Sequence, residues 1–505
     1  LRIKPELSAI GGNVESSIPT VEDKGDYASM SGTSMASPYV AGASVLVKSY
    51  MAENWTGSYD AASMVENLMM STASPVIDPE TKLPYSPRLQ GSGLIDLSAA
   101  TSSDVVLYTD ADQYGDTKPV LNLGDDVAKN GSYDLTFHAR NMGKDAAQYD
   151  VSVIAMSPAV LTQDGKTYMS SHDEALDVTV SGDKTVTLAA GATGDVKVSV
   201  SLSADQKAKL DAAYENGIYV EGFVTLTPAG GDETVALSLP YMGFYGDWAK
   251  APLFDATAYS GEEPNVVDMW LGVFDNRTGG GYGLGSPLYG NAYSFYDADK
   301  IAITSDTSQN VTAVCALLRS ADSLTFSVTD SDGSTVYTET SKQASKSHYY
   351  NQSFYTPMAK KGFIPVDSWN TPLPDGQYTY TVTGQVAGGT QSISFPLTID
   401  NEKPQVIRSE IVGSTWKVTV KDNHYVQAVA ATVGNSPLTG WINPRETVPG
   451  AETTVEFDLS SAAFSGLTQA KIAIADYADN QFVSDWYSLS GATVIQPTSV
   501  ILDRQ

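Results

Sequence analysis

The clearest chemical signal in this chain lies in residues 32–38, which read Gly-Thr-Ser-Met-Ala-Ser-Pro. Small residues followed by helix formers predict a tight turn that presents the Ser34 hydroxyl at the N-terminus of a helix. The first backbone N–H groups of a helix lack intrahelical acceptors and lie at the positive end of its dipole. A serine placed there can attack a carbonyl carbon, because the oxyanion that forms needs donors already aimed at it. The alternative is an ordinary capped helix start, which also favours serine and threonine.

Two further stretches accompany this motif. Residues 4–13 read Lys-Pro-Glu-Leu-Ser-Ala-Ile-Gly-Gly-Asn, and residues 86–96 read Ser-Pro-Arg-Leu-Gln-Gly-Ser-Gly-Leu-Ile-Asp. Together the three stretches resemble those around the nucleophile of subtilisin-like serine proteases (subtilases), in particular the large cell-envelope branch of the lactocepin and complement-cleaving peptidase type. The resemblance implies that Ser34 is the catalytic nucleophile and that its backbone N–H contributes to the oxyanion hole. Glu6 and Ile10 stand where that family usually has Asp and Pro.

The other members of a catalytic triad are missing from the expected places. A subtilase triad runs Asp, His, Ser along the chain, yet the 33 residues before Ser34 contain no histidine. His138, His172, His348 and His424 all follow the serine, and we expect each to be a surface or turn residue. The resemblance therefore predicts the C-terminal portion of a longer enzyme, with the triad Asp and His on an absent N-terminal segment. Alone the chain would be inactive, because a serine without a base is a poor nucleophile.

Composition narrows the range of partners. A chain of 505 residues is too long for a single core and predicts several domains. A net charge of −29 disfavours nucleic acid and anionic membranes as partners, and carboxylate-rich surfaces suit calcium. No apolar run has membrane-spanning length. The single cysteine, Cys315, lies in an apolar segment, which predicts a buried and unreactive thiol. Residues 279–281 are three glycines without the further glycine of a dinucleotide fingerprint, and they predict a loop.

The predicted fold class is multidomain, with an α/β part followed by all-β fibronectin-like sandwiches. Its first piece, residues 1–103, would be the C-terminal part of a subtilisin-like catalytic domain. Short alternating stretches between Gly, Asp and Asn turns then indicate β-sandwiches. We expect these sandwiches at residues 104–249, 250–400 and 401–491, followed by a tail at 492–505.

Local patterns refine this organisation. Within the α/β part, residues 33–51 predict a largely buried helix that starts at the serine, and residues 61–72 predict a second helix with one apolar stripe. Residues 91–96 are expected to form the last strand of this part. Farther along, residues 239–248 resemble the end of the first fibronectin-like domain in the same cell-envelope branch. Residues 324–338 predict a β-hairpin around an Asp-Ser-Asp-Gly turn.

Short acidic side chains lie at two expected strand ends of the third sandwich. Asp422 lies at one of them, and Asp476 and Asp479 lie at the other. A structural Ca²⁺ between them is one interpretation, because hard cations bind several such oxygens. The alternative is that these residues only cap turns. No cofactor is required for the proposed chemistry.

These observations favour a secreted or cell-envelope serine endopeptidase of bacterial type. Its partners would be protein or peptide substrates and the N-terminal segment of the same protease, with no nucleic acid and no membrane insertion within this chain. The alternative is a non-enzymatic extracellular binding or adhesion module that carries a protease remnant. The incomplete triad and the large share of β-sandwich favour that alternative, whereas the intact motif around Ser34 favours the enzyme.

Overall fold

The protein was analysed as a computed structural model that describes residues 2–490 apart from short gaps. The gaps are residues 22–23, 56, 113, 230–234, 276–280, 290–294, 306–308, 351–352, 435 and 445–446. The chain divides into two compact units, Leu1–Ala251 and Pro252–Gln505. Of the three glycines predicted to form a loop, Gly279 and Gly280 lie outside the described residues.

The first hundred residues form a hairpin and a group of helices. These elements are β1 (Val14–Val21), β2 (Lys24–Met30), α1 (Thr33–Asn54), α2 (Ala61–Ser71), α3 (Pro87–Gln90) and α4 (Leu97–Ala100). Helix α1 begins at the serine motif as predicted, and α2 confirms the second predicted helix. The apolar stripe of α2, which contains Val65 and Leu68, packs with Val47 and Met51 of α1 in one core.

The prediction that the helix at the serine is largely buried is wrong for this chain. Its buried residues are Ala43, Val47 and Met51. By contrast, the side chains of Val45 and Leu46 are 66% and 54% exposed. The reason is geometric, because apolar residues occur around much of the circumference of α1, and the neighbouring helices α2 and α4 cover only one stripe of it.

The predicted strand at residues 91–96 is also not formed. Helix α3 ends at Gln90 with Gly91 as its C-cap, and Leu94 makes only isolated bridges, to Ser8 and Ser74. The backbone of Gly93 has φ +118°, and a Cβ atom there would lie 2.4 Å from the carbonyl oxygen of Ser74. Glycine is therefore required at this position, and its conformation interrupts an extended strand.

The rest of the first unit is a β-sandwich with one helix at its edge. Its elements are β3 (Val105–Tyr108), β4 (Leu121–Asp125), β5 (Ser132–Asn141), β6 (Ala147–Gln163), β7 (Lys166–Ala175), β8 (Val178–Gly182), β9 (Thr185–Leu188), β10 (Thr193–Leu202), α5 (Ala204–Ala213), β11 (Ile218–Pro228) and β12 (Leu237–Tyr245). One sheet has the order β3-β5-β10-β8, and the other has the order β4-β12-β11-β6-β7 with β9 beside β6. Alternate side chains of both sheets, such as Phe137 and Val224, fill the shared core.

The second unit begins with another pair of sheets. Its strands are β13 (Trp270–Asp275), β14 (Gly281–Gly283), β15 (Ala302–Ile303), β16 (Gln309–Val314), β17 (Ala321–Thr329), β18 (Thr335–Ala344), β19 (His348–Tyr350), β20 (Ser353–Tyr355), β21 (Gly376–Val386) and β22 (Gly389–Ile399), with a 3₁₀ turn at Ala298–Lys300. The main sheets have the orders β14-β13-β16 and β15-β22-β21-β17-β18. Strands β17 and β18 confirm the predicted hairpin. Cys315 follows β16 and is buried, as predicted, and burial raises the pKa of its thiol.

A further pair of sheets completes the second unit. Its strands are β23 (Gln405–Val412), β24 (Thr415–Lys421), β25 (Val426–Val433), β26 (Ser436–Pro437), β27 (Glu452–Asp458), β28 (Gln469–Asp476), β29 (Gln481–Val483) and β30 (Tyr487–Ser488), with a 3₁₀ turn at Ala462–Phe464. The sheets have the orders β23-β24-β27 and β26-β25-β28-β29, with β30 also beside β28. Trp416 is fully buried in the core between them. Within the described residues, no helix has the length and apolarity needed to cross a bilayer.

Candidate active site

The turn before α1 fixes the position of Ser34. Gly32 caps the helix with φ 154° and ψ 165°, a region of backbone space that is open essentially only to glycine. The N–H of Met35 donates to the carbonyl oxygen of Gly32 at 3.0 Å, which closes the first turn. Ser34 is therefore the second residue of α1, and its side chain is exposed to solvent. The sequence prediction of a serine at a helix N-terminus is confirmed.

The polar groups of Ser34 lie open at the N-terminus of α1. Among the described residues, neither its hydroxyl nor its backbone N–H has a hydrogen-bond partner. The first turn of α1 itself contains no acidic residue that would offset the positive end of the helix dipole. The geometry is that of a donor-lined helix tip able to stabilise a negatively charged oxygen.

The three stretches that carry the subtilase resemblance meet in space. The N–H of Gly32 donates to the carbonyl oxygen of Gly11 at 2.7 Å, which ties the upstream loop to the turn before Ser34. The N–H of Ser92 donates to the carbonyl oxygen of Glu6 at 2.9 Å, which ties the closing stretch to the same upstream loop. The upstream loop is therefore hydrogen-bonded both to the turn before Ser34 and to the closing stretch, although the three segments are far apart in sequence.

Two histidines of the first unit have acidic partners of their own. His138 lies on β5, where its Nδ1 is 2.9 Å from Asp195 and its Nε2 is 3.1 Å from Asp110. Burial alone would lower the pKa of His138, but the bonds to these two carboxylates raise it. The Nδ1 of His172 is 2.7 Å from Asp78, and this bond raises the pKa of His172. Neither histidine contacts Ser34.

The histidines of the second unit have different environments. His348 is exposed, as predicted, and its Nδ1 lies 3.2 Å from the carbonyl oxygen of Lys346. His424 lies in the bend between β24 and β25, which agrees with the predicted surface or turn position, but it is only 7% exposed and packs edge-on against the ring of Tyr425. Burial lowers the pKa of His424 to about 4. Within the described part of the chain, no histidine is hydrogen-bonded to Ser34.

The structure brings together two of the three predicted metal ligands. Asp422 and Asp476 form a cluster with Asp400, in which one carboxylate oxygen of each residue lies within 4.8 Å of one from each of the others. Asp479 is outside this cluster, and its Oδ1 accepts a hydrogen bond from the Tyr289 hydroxyl at 2.7 Å. The sequence analysis missed Asp400. Its signal was the same as for Asp422, an aspartate followed by asparagine directly after an apolar strand.

The environment of the cluster disfavours three charged carboxylates. Burial raises the pKa of Asp422 to about 7. Burial and then the charge of Asp422 raise the pKa of Asp476 to about 8. The pKa of Asp400 is also raised, chiefly by burial. A bound cation or bound protons must therefore offset the negative charge at this place.

A second pair missed by the sequence analysis joins the closing stretch to the sandwich. The guanidinium of Arg88 holds the carboxylate of Glu221 with two hydrogen bonds, of 2.8 and 3.0 Å, and lies over the ring of Tyr219. Glu221 has no exposed surface. Nearby, burial and the charge of Glu221 raise the pKa of Asp173 to about 6. The available signal was a glutamate within the otherwise mostly apolar stretch of residues 218–224.

Comparison with known proteins agrees with this geometry. Residues 1–93 match the Subtilase family, and residues 125–242 match the Fn3-like domain. The chain therefore has a segment similar to subtilases followed by one similar to Fn3-like domains. The predicted resemblance and fold class are thereby confirmed, and Ser34 lies within the matched subtilase segment.

Curated relatives match half or more of this chain at low identity. The PII-type proteinase of Lactococcus lactis subsp. cremoris is 27% identical over 448 residues, which cover 80% of this chain and 22% of that protein. The C5a peptidase of Streptococcus pyogenes serotype M1 is 26% identical over 264 residues, which cover 52% of this chain and 21% of that protein. The chain therefore spans about a fifth of the length of these relatives.

The solved structures that resemble this chain give no further information about its fold. A class 5 fimbriae chaperone, CfaA, covers 57% of this chain and 98% of its own at 8% identity, with a TM-score of 0.20. A score this low carries no argument about the fold of the subtilase segment or of the sandwiches.

Proposed function

We propose that this chain supplies the nucleophile of a serine endopeptidase, with Ser34 as the attacking residue. The observation that carries the proposal is the exposed Ser34 at the tip of α1, with its N–H and hydroxyl unbonded among the described residues, inside a segment that matches the Subtilase family. In this role the Ser34 oxygen attacks the peptide carbonyl, a histidine takes its proton, and the Ser34 N–H stabilises the oxyanion.

The histidine and aspartate of the triad would come from a segment that precedes Ser34 in the order of the family. The exposed apolar residues on and before α1 support such a docking segment. Tyr39, Val45 and Leu46 on the helix are each at least 45% exposed, and Tyr27 and Met30 of β2 are 72% and 47% exposed. Exposed apolar side chains of this size on two consecutive elements are compatible with a surface that another segment covers.

The substrate class follows from the same resemblance. Relatives of this chain are named proteinases and peptidases, and we infer that protein or peptide chains are the substrates here as well. The acidic net charge of −29 fits an extracellular or cell-envelope location, which is the location that the resemblance implies. The sandwiches would then brace the catalytic domain or bind long substrates beside it.

A protease assay on an N-terminally extended form of the chain tests this proposal. The extended form, which includes the proposed His and Asp, should hydrolyse a fluorescently labelled unfolded protein. Ser34→Ala should lower the rate by at least about 10³-fold, because the triad acts as a unit. Ser44→Ala is the matched control, since Ser44 lies on the same helix and its hydroxyl bonds the carbonyl oxygen of Ala41. Equal rates of hydrolysis for Ser34→Ala and the parent would refute the role of Ser34 as the nucleophile.

The second candidate function is a binding or adhesion module. The observation that favours it is the predominance of β-sandwich from β3 to β30. In that case the extended form would hydrolyse nothing, even though the segment carrying His and Asp binds to α1. Activity lost with Ser34→Ala and kept with Ser44→Ala would exclude this alternative as the whole function.

A further inference from the structure

Three buried aspartates of the second unit lie close together, and they come from separate elements. Asp400 directly follows β22, Asp422 directly follows β24, and Asp476 is the last residue of β28. They are 1%, 4% and 0% exposed. Strand β22 belongs to one pair of sheets, while β24 and β28 belong to the next pair. The cluster therefore links the end of one sandwich to the strand ends of another.

Hydrogen bonds satisfy only part of this cluster. The Asp400 Oδ1 accepts from the side-chain amide of Asn423 at 2.9 Å, and the Asp422 Oδ1 accepts from the N–H of His424 at 2.8 Å. The Oδ2 atoms of Asp400 and Asp422, by contrast, are buried without a hydrogen-bond partner among the described residues. A buried carboxylate oxygen that lacks a donor is strongly destabilising unless a cation offsets it.

The side-chain amide of Asn480 links two members of the cluster. Its nitrogen donates to Asp476 Oδ2 at 2.8 Å and to the backbone carbonyl oxygen of Asp400 at 2.9 Å. These bonds fix the carboxylate of Asp476 close to the backbone of Asp400. An arrangement that fixes like charges close to each other indicates that something positive lies between them.

No described lysine or arginine provides that positive charge. Salt bridges to Asp400, Asp422 or Asp476 are absent from the described residues. Lys300 lies near this cluster, since its ammonium is over the rings of Tyr425 and Tyr477. The same ammonium is 3.0 Å from the carboxylate of Asp297.

We propose that Asp400, Asp422 and Asp476 bind one Ca²⁺ ion that ties the two sandwiches of the second unit together. Ca²⁺ takes six to eight oxygens at about 2.3–2.6 Å, so that oxygens on one ion lie up to about 4.6–5.2 Å apart. The observed limit of 4.8 Å fits this range. Three carboxylates would supply part of that coordination, and backbone carbonyls or water would supply the rest.

The donor set selects against the other common ions. Zn²⁺ prefers nitrogen and sulfur ligands, and the three clustered residues offer oxygen alone. Mg²⁺ requires a tight octahedron at about 2.0–2.1 Å and keeps several waters, whereas these carboxylates are buried. This inference concerns the second unit and does not depend on the role of Ser34.

Calcium titration of the full chain, stripped with a chelator, tests the site. Calorimetry with CaCl₂ should detect a high-affinity event near one ion per chain. Saturating CaCl₂ should raise the melting temperature of the second unit by roughly 5–10 °C, the range expected when the ligand is at about 100 times its Kd. No binding and no shift would overturn the proposal and would indicate that the carboxylates share protons instead.

Two variants locate the ion, and a third is the matched control. In Asp422→Asn the calcium shift should vanish, but in chelator this variant should melt above the parent, because one buried negative charge is gone. Asp400→Asn should behave in the same way and serves if the first variant does not fold. Asp479→Asn, only three residues from Asp476 but outside the cluster, should keep the full shift. A shift that survives both cluster variants would show that calcium binds elsewhere and would overturn the proposal.

Discussion

Helices α1 and α2 of the first hundred residues both carry many apolar side chains, but their environments differ. On the side that faces the sandwich, α2 buries its apolar stripe, and Arg88 forms a closed ion pair with Glu221. On the other side, α1 leaves Val45 and Leu46 exposed, and the same helix begins with the exposed Ser34. Apolar composition predicts that a helix will be covered, but a covering partner must be present for burial to occur. The side with the serine is therefore the one on which the proposed segment would dock.

The largest effect on stability is expected from the packed side. Arg88→Ala leaves Glu221 buried without its cation and should lower the free energy of unfolding of the first unit by about 3–5 kcal/mol. Arg2→Ala is the matched control, because the Arg2–Asp112 pair is exposed and such pairs contribute about 0–1 kcal/mol. Denaturant unfolding of both variants measures the difference. Equal losses in the free energy of unfolding would mean that the buried pair stabilises the first unit no more than an exposed pair does.

The exposed side should respond in the opposite manner. Leu46→Ser should leave the stability of this chain nearly unchanged, because the side chain is already in water. It should weaken binding of the segment that carries His and Asp by roughly 10–100-fold, the effect of losing one buried leucine of about 1.5–3 kcal/mol.

The control for this binding experiment is Leu161→Ser, since Leu161 is 49% exposed on β6 of the sandwich. Titration of the separately produced segment, followed by calorimetry, measures both variants. If Leu46→Ser binds the segment as tightly as Leu161→Ser does, then the exposed face of α1 is not the docking surface.

The smallest effect concerns the acid beside the buried pair. Asp173 has its pKa raised to about 6, first by burial and then by Glu221. Between pH about 4 and 6 the folded state keeps a proton that the unfolded state has lost, so that this residue lowers stability as pH rises. Asp173→Asn should therefore equal the parent at pH 4 and exceed it at pH 7 by of order 1 kcal/mol.

Thermal unfolding across this pH range measures the effect. The control is Asp164→Asn, because Asp164 is exposed in the turn between β6 and β7, the two strands of the hairpin that contains Asp173. A parallel shift of the whole pH profile for Asp173→Asn, with no change in its slope, would contradict the raised pKa.

Local signals made part of this molecule predictable from sequence. The turn before Ser34, the helix at residues 61–71 and the hairpin of β17 and β18 follow from glycine, capping and alternation, which act over a few residues. The exposure of α1 was not predictable, because it depends on what lies across from the helix. Gly93 could not be recognised as a strand breaker, since its constraint comes from the distant carbonyl of Ser74.

Pairings between distant residues were likewise out of reach. Arg88 and Glu221 are separated by 133 positions, and no local pattern joins them. Asp422 and Asp476 were proposed together on the basis of their strand ends, and the structure confirms their proximity. Asp400 has the same strand-end signal, but its place in the cluster depends on how one sandwich follows the next. The domain boundaries and the catalytic role of Ser34 stay predictions.

The central claim is that Ser34 is an activated nucleophile once the exposed side of α1 is covered. Site-resolved labelling with a fluorophosphonate, read by mass spectrometry of the peptide that contains residue 34, tests it most directly. We expect stoichiometric modification of Ser34 in the extended form and nearly none in the 505-residue chain alone, because only a base-assisted serine reacts readily. An extended form that cleaves protein while Ser34 stays unmodified, or that carries the label on a different serine, would contradict the account.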